Sequence, residues 1–176
     1  RAIEQLNERV NRAGLKINSL SPPTPVRFLT GDPEGEKDIE QLTETIKLFG
    51  VHGIPFLNMP VHMKGYDIKS LNPGYFGCYD GMHRGGYSMR SFDEALMERE
   101  LKQQTDPGFP IQEYFTRCLA MYKHLVPVAE KHNVRLITHP SDPPRPESAI
   151  SPLRWLQLID EVPSDYNGLL YCVGTR

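Results

Sequence analysis

Apolar residues recur along the chain in two alternating rhythms. Ile3, Leu6 and Val10 lie three and four apart and predict a helix over residues 1–13, with Gly14 just past its end. Leu15 to Leu20 alternates as a short strand until Pro22, Pro23 and Pro25 stop it, and the polar stretch to Gly35 reads as a loop. Ile39, Leu42, Ile46 and Phe49 form one stripe of a helix over 36–49, whose acidic first turn suits the helix dipole. Gly50 and Gly53 end it, and Ile54 to Met59 reads as a buried strand closed by Pro60. Residues 61–92, dense in glycine and aromatics, resist a regular reading, so 62–110 is read as a loop-rich insertion. Ser91 with Asp93 and Glu94 opens a helix that runs to about Gln104. From Ile111 to Lys131 a core face passes through Phe115, Cys118, Leu119, Tyr122, Leu125, Val126 and Ala129, with a kink or restart expected at Pro127. Val134 to Thr138 is a strand ending at His139. A helix starts at Ser151-Pro152 with Leu153, Leu156 and Ile159 inward, and Gly168 to Cys172 is a last strand.

The order is helix and strand in alternation, which predicts an α/β fold of about four parallel strands with helical crossovers. An open doubly wound sheet and part of a closed (β/α)8 TIM barrel both fit. No G-x-G-x-x-G follows a strand, so the dinucleotide-binding form of the open sheet has no support. A complete barrel takes about 250 residues. The pattern opens inside a helix and closes directly after a strand, so the expectation is a single incomplete barrel domain over 1–176, covering roughly the second to fifth strands.

Composition narrows the function classes. The 20 basic and 22 acidic residues nearly balance, which argues against a nucleic-acid or anionic-membrane surface as the main partner. No apolar run approaches the ~20 residues of a membrane span. Three widely spaced cysteines do not make a disulfide framework, so the reducing cytoplasm is the expected compartment.

Functional groups of parallel α/β folds collect at the carboxyl ends of the strands. Here those ends carry Asn58, His139 and Cys172. Imidazole and thiolate suit a borderline transition metal. The same two residues also read as a buried small hydrophobe and a structural hydrogen-bonder. No C-x-x-C or H-x-x-x-H pair supports a zinc finger. Asn58 suits a substrate hydroxyl or a strand-end turn. Asp142 suits a partner of the His139 imidazole or a turn cap. Arg145 and Arg176 suit a carboxylate, or solvent. His83 and Arg84 sit in a Gly-rich loop, read as a disordered insertion rather than a lid. His52, His62, His124 and His132 read as surface or helix-end residues, Cys78 as a loop thiol and Cys118 as part of a helix core face.

The surroundings of His139 add a resemblance. Pro127-Val128-Ala129-Glu130, then His139-Pro140-Ser141-Asp142-Pro143-Pro144, then Asn167-Gly168-Leu169-Leu170-Tyr171-Cys172-Val173-Gly174 resemble the mannonate dehydratase family, with its PVAE helix and its HPDDPP and NGL-x-x-C-x-G strand ends. Asn58-Met59-Pro60-Val61 is similar to that family's N-x-M-P-V segment. The likeness is dense over 126–176 and looser over 14–61. It implies a xylose-isomerase-like TIM barrel that dehydrates D-mannonate to 2-keto-3-deoxy-D-gluconate in hexuronate catabolism, using Mn2+ or Fe2+. It also implies a homo-oligomer as the full-length protein. In such enzymes two His, one Cys and one Asp hold the metal. His139 and Cys172 match the first His and the Cys, and the other two ligands belong to later strands. The resemblance assigns no general acid or base within this chain. Ser141 stands where the family has Asp, and Thr175 where Ser is common. A sugar isomerase or epimerase of the same barrel class, or a half-barrel that binds a ligand without catalysis, is the alternative.

Overall fold

The computed structural model describes residues 2–59, 61, 77–103, 111–139 and 152–171. Two compact units partition the chain, Arg1–His62 with Pro110–Arg176, and Met63–Phe109.

The first unit holds a parallel sheet of β1 (Ser19–Leu20), β2 (Phe56–Asn58), β5 (Arg135–Thr138) and β6 (Asn167–Leu169), in that spatial order. In this sheet the order across space follows the order along the chain without reversal. A doubly wound sheet reverses at a switch point, whereas a barrel winds on in one direction. The architecture is part of a (β/α)8 barrel, and this order decides between the two folds that fit the sequence pattern.

Helix α1 (Ala2–Arg12) precedes the first strand, and helices α2 (Val26–Thr30), α3 (Glu36–Val51), α5 (Ile111–His132) and α6 (Pro152–Glu161) lie on the crossovers. The stripe Ile39, Leu42, Ile46 and Phe49 of α3 is buried, as its spacing predicts. So is the α5 face of Phe115, Cys118, Tyr122, Leu125, Val126 and Ala129, which Tyr114 and Met121 widen. α5 runs as one helix through Pro127 and does not restart there. α1 is amphipathic yet buries no residue.

Helix α6 differs from its predicted facing. Trp155, Leu158 and Val162 are buried, while Leu156 is 58% exposed. Both stripes fit a helical period, but the one with Trp155 places the larger ring against Tyr122, edge-on at a centroid distance of 5.9 Å.

α2 was not expected at all. Its amino end is held from outside: the backbone amides of Arg27 and Phe28 donate to Asp38 Oδ2 at 2.9 and 3.3 Å. The Arg27 Nε donates to Asp38 Oδ1 at 2.8 Å. Asp38, in the first turn of α3, thus satisfies donors that a five-residue helix cannot satisfy itself.

Two handovers from helix to strand use the same device. After α3, Gly53 takes φ +66° and Ile54 N–H donates to Phe49 O at 2.9 Å. After α5, Asn133 takes φ +55° and Val134 N–H donates to Ala129 O at 3.0 Å. Both are left-handed helix ends of the Schellman type, followed by a buried apolar residue, Ile54 or Val134, that leads into the next strand.

In the second unit, β3 (Cys78–Met82) and β4 (Ser88–Phe92) form an antiparallel hairpin, followed by α4 (Glu94–Gln103). Cys78 is therefore a strand residue, not a loop thiol. His83 and Arg84 lie in the turn between β3 and β4 with Gly85 and Gly86. Asp93, rather than Ser91, caps α4, accepting the Leu96 amide at 2.7 Å. Among the described residues no helix is long and apolar enough to cross a membrane.

Candidate functional site

Strands β2, β5 and β6 end within one register step of each other. Asn58 is the register partner of Ile137, and Ile137 of Gly168. The ladder continues one step further: Met59 N–H donates to Ile137 O at 2.7 Å, and Leu170 N–H donates to Thr138 O at 2.9 Å. His139 follows directly, about 7 Å beyond the Asn58 level at the usual strand rise.

Side chains alternate between two unlike faces. Leu57, Met59, Leu136, Thr138 and Asn167 are buried beneath the helix layer. Phe56, Asn58, Ile137, His139, Gly168 and Leu170 take the opposite parity and are half-buried. In a barrel that second face is the interior. Asn58 and His139 thus share the inner face at the carboxyl ends of neighbouring strands, which is where a barrel assembles its site.

Of the other residues singled out in the sequence, Cys172, Asp142, Arg145, Arg176 and His62 lie outside the described residues. Among the described residues no group of three or more His, Cys, Asp and Glu side chains gathers in metal-binding proximity. His52 ends α3, His132 ends α5, and His124 is exposed on α5. His83 Nε2 lies 3.0 Å from Ser91 Oγ on the hairpin.

Behind the strand ends, the outer face holds a polar pair that the sequence pattern did not single out. The Tyr122 hydroxyl is hydrogen-bonded to Thr138 Oγ1, and both residues are fully buried. Burial pushes the Tyr122 phenol well above its ordinary value, with the bond to Thr138 opposing the shift. Asn167 is a second such residue: its Nδ2 donates to Val162 O at 2.9 Å and so closes the end of α6 as β6 begins. In sequence Tyr122 shows only as a member of the α5 core face, Thr138 only as a strand end, and Asn167 only as part of the Asn-Gly-Leu motif.

Cys118 lies on the same inner helix face, and burial pushes its thiol up to about 12 from 9.0. Cys118 is accordingly expected to resist alkylation at pH 8, while half-buried Cys78 reacts, as read by mass spectrometry of iodoacetamide-treated native protein. Because its folded value is the higher one, Cys118 contributes stability that is complete below pH 9 and is lost as the pH rises toward 12. Labelling of Cys118 at pH 8 without unfolding would contradict this burial.

Comparison with known proteins is consistent with this geometry. Residues 110–176 match the family model of D-mannonate dehydratase (UxuA). A mannonate dehydratase of Streptococcus agalactiae is 26% identical over 198 residues, covering 98% of this chain and 56% of its own length. A mannonate dehydratase of Chromohalobacter salexigens is 45% identical over 56 residues, covering 29% of this chain and 14% of its own. The crystal structure of mannonate dehydratase from Streptococcus suis serotype 2 superposes with a TM-score of 0.72 at 22% identity, over 98% of this chain and 52% of that one. The likeness in sequence and fold therefore extends along nearly the whole chain, which spans about half the length of these full-length relatives.

Proposed function

We propose that this chain supplies about half of the barrel of a mannonate dehydratase, a metal-dependent lyase that removes water from D-mannonate. One observation carries the reading. The segment matching the dehydratase family model contains His139 and Cys172, and His139 lies on the inner face at the carboxyl end of a parallel strand, beside the strand that bears Asn58.

The donor set fits a divalent transition metal. An imidazole and a thiolate are borderline and soft ligands suited to Fe2+ and tolerated by Mn2+. His139 and Cys172 would hold the metal together with ligands from later strands. When bound, such a metal supplies Lewis-acid stabilisation for the negative charge that builds on the substrate carboxylate as the neighbouring proton leaves.

The remaining roles belong to the chain. The Asn58 amide donates to a substrate hydroxyl and fixes the sugar acid along the barrel mouth. The Arg145 guanidinium grips the carboxylate through paired N–H donors. The Asp142 carboxylate is assigned the role of a partner that would accept the distal N–H of His139 and fix its tautomer. The buried Cys118 is in no disulfide, which suits work in a reducing cytoplasm.

The test is direct. The full-length protein that carries this chain, loaded with Mn2+ or Fe2+, is expected to convert D-mannonate to the 2-keto-3-deoxy acid, to stop when the metal is chelated, and to resume when it is restored. A folded, metal-binding protein inert on D-mannonate would overturn the substrate assignment.

A further inference from the structure

The Tyr122–Thr138 pair lies in a place where hydroxyls are costly. Both residues are fully buried, and the surroundings of Tyr122 include Phe115, Cys118 and the Trp155 ring. For packing alone, Phe and Val would serve at these two positions, because removing both partners of a buried hydrogen bond is close to neutral in stability. The pair is also placed at one particular spot. Thr138 is the last residue of β5, and the next residue is His139. The Thr138 carbonyl is already tied to β6 through Leu170 N–H. Its side chain is tied to α5 through Tyr122, which α6 holds from the side through Trp155. Thr138 is thus fixed from a strand and from a helix at once, immediately before the imidazole.

We infer that Tyr122 is a positioning residue for the metal site: its bond to Thr138 sets the end of β5 and with it the direction in which His139 presents its ring nitrogen. This rests on the reading of His139 as a metal ligand. Tyr122 touches neither metal nor substrate and acts only through the backbone of Thr138 and His139.

The experiment uses the full-length protein and Mn2+ alone, with free Mn2+ followed by electron paramagnetic resonance and the thermal midpoint of each metal-free variant recorded alongside. The variants are Tyr122→Phe, Thr138→Val, their double combination, Thr138→Ser and His139→Ala. The double variant removes both hydroxyls and is expected to keep a near-native midpoint while losing Mn2+ affinity by roughly tenfold, the low end for groups that orient a ligand from behind. Each single variant is expected to lose affinity to a similar extent, and Thr138→Ser, which keeps the hydroxyl, to retain it. If His139→Ala abolishes Mn2+ binding while the double variant binds like the native protein, the positioning role is wrong and the metal site stands. If His139→Ala binds Mn2+ like the native protein, the metal assignment falls and the positioning role falls with it.

Discussion

Replacing His139 or Cys172 by alanine in the full-length protein is expected to lower Mn2+ affinity by more than about a hundredfold, since loss of a mere supporting partner of a ligand already costs ten- to a hundredfold. Dehydration of D-mannonate is expected to fall with it. A Lewis acid contributes several kcal/mol to such a step, and each ~1.4 kcal/mol is a factor of ten, so kcat/KM should drop by at least roughly a thousandfold. Asn58→Ala is the internal contrast. It removes one hydrogen bond to substrate, worth about 1 kcal/mol, and should raise KM by several-fold while leaving metal affinity unchanged. Titration of the metal and steady-state kinetics on the three variants separate these outcomes. Native Mn2+ affinity in both His139→Ala and Cys172→Ala would remove the metal from these strand ends.

The second large effect concerns stability. Trp155→Ala is expected to cost about 3–5 kcal/mol, the range for emptying a large aromatic from a core. Trp155 is 3% exposed and packs edge-on against Tyr122. Leu156→Ala, one residue along, should change stability by less than about 0.5 kcal/mol, because Leu156 is 58% exposed. Urea unfolding of the two variants in the full-length protein reads both. The reverse ranking would mean that α6 is turned by one residue and buries the Leu153, Leu156 and Ile159 stripe instead.

That pair of variants also marks where the sequence was hard to read. The helices α3 and α5 and the strands at 56–58 and 135–138 are legible because their apolar positions keep one clean period between glycines or prolines. α6 offers two overlapping stripes, and only its packing partner Tyr122 chooses between them. The short α2 has no period of its own, since its amino end is completed by Asp38 from the next helix. The hairpin was missed for a different reason. Tyr79, Met82, Tyr87, Met89 and Phe92 are all exposed, on both faces of a two-stranded ribbon, so no alternation of apolar and polar residues results. Its turn did carry a signal, Gly85-Gly86 with positive φ at both, which the surrounding glycines and aromatics masked.

The candidate site shows the same division. His139 and Asn58 could be placed because strand ends are visible in sequence and chemistry collects there. The Tyr122–Thr138 bond could not, because it joins a helix to a strand through a tyrosine that reads, in sequence, as an ordinary core-face residue and a threonine that reads as an ordinary strand end.

The hairpin unit has a consequence for how the chain reaches its fold. It lies in sequence between β2 and α5, so the β2–β5 pairing of Asn58 with Ile137 must close a far longer loop than the β5–β6 pairing of Ile137 with Gly168. The entropy of closure grows only with the logarithm of loop length, about 0.6 kcal/mol per doubling, so the finished sheet tolerates the insertion at little cost. The search for the longer contact is what slows. β5, α6 and β6 are therefore expected to pair first, already carrying the imidazole strand, with β2 bringing Asn58 to it afterwards.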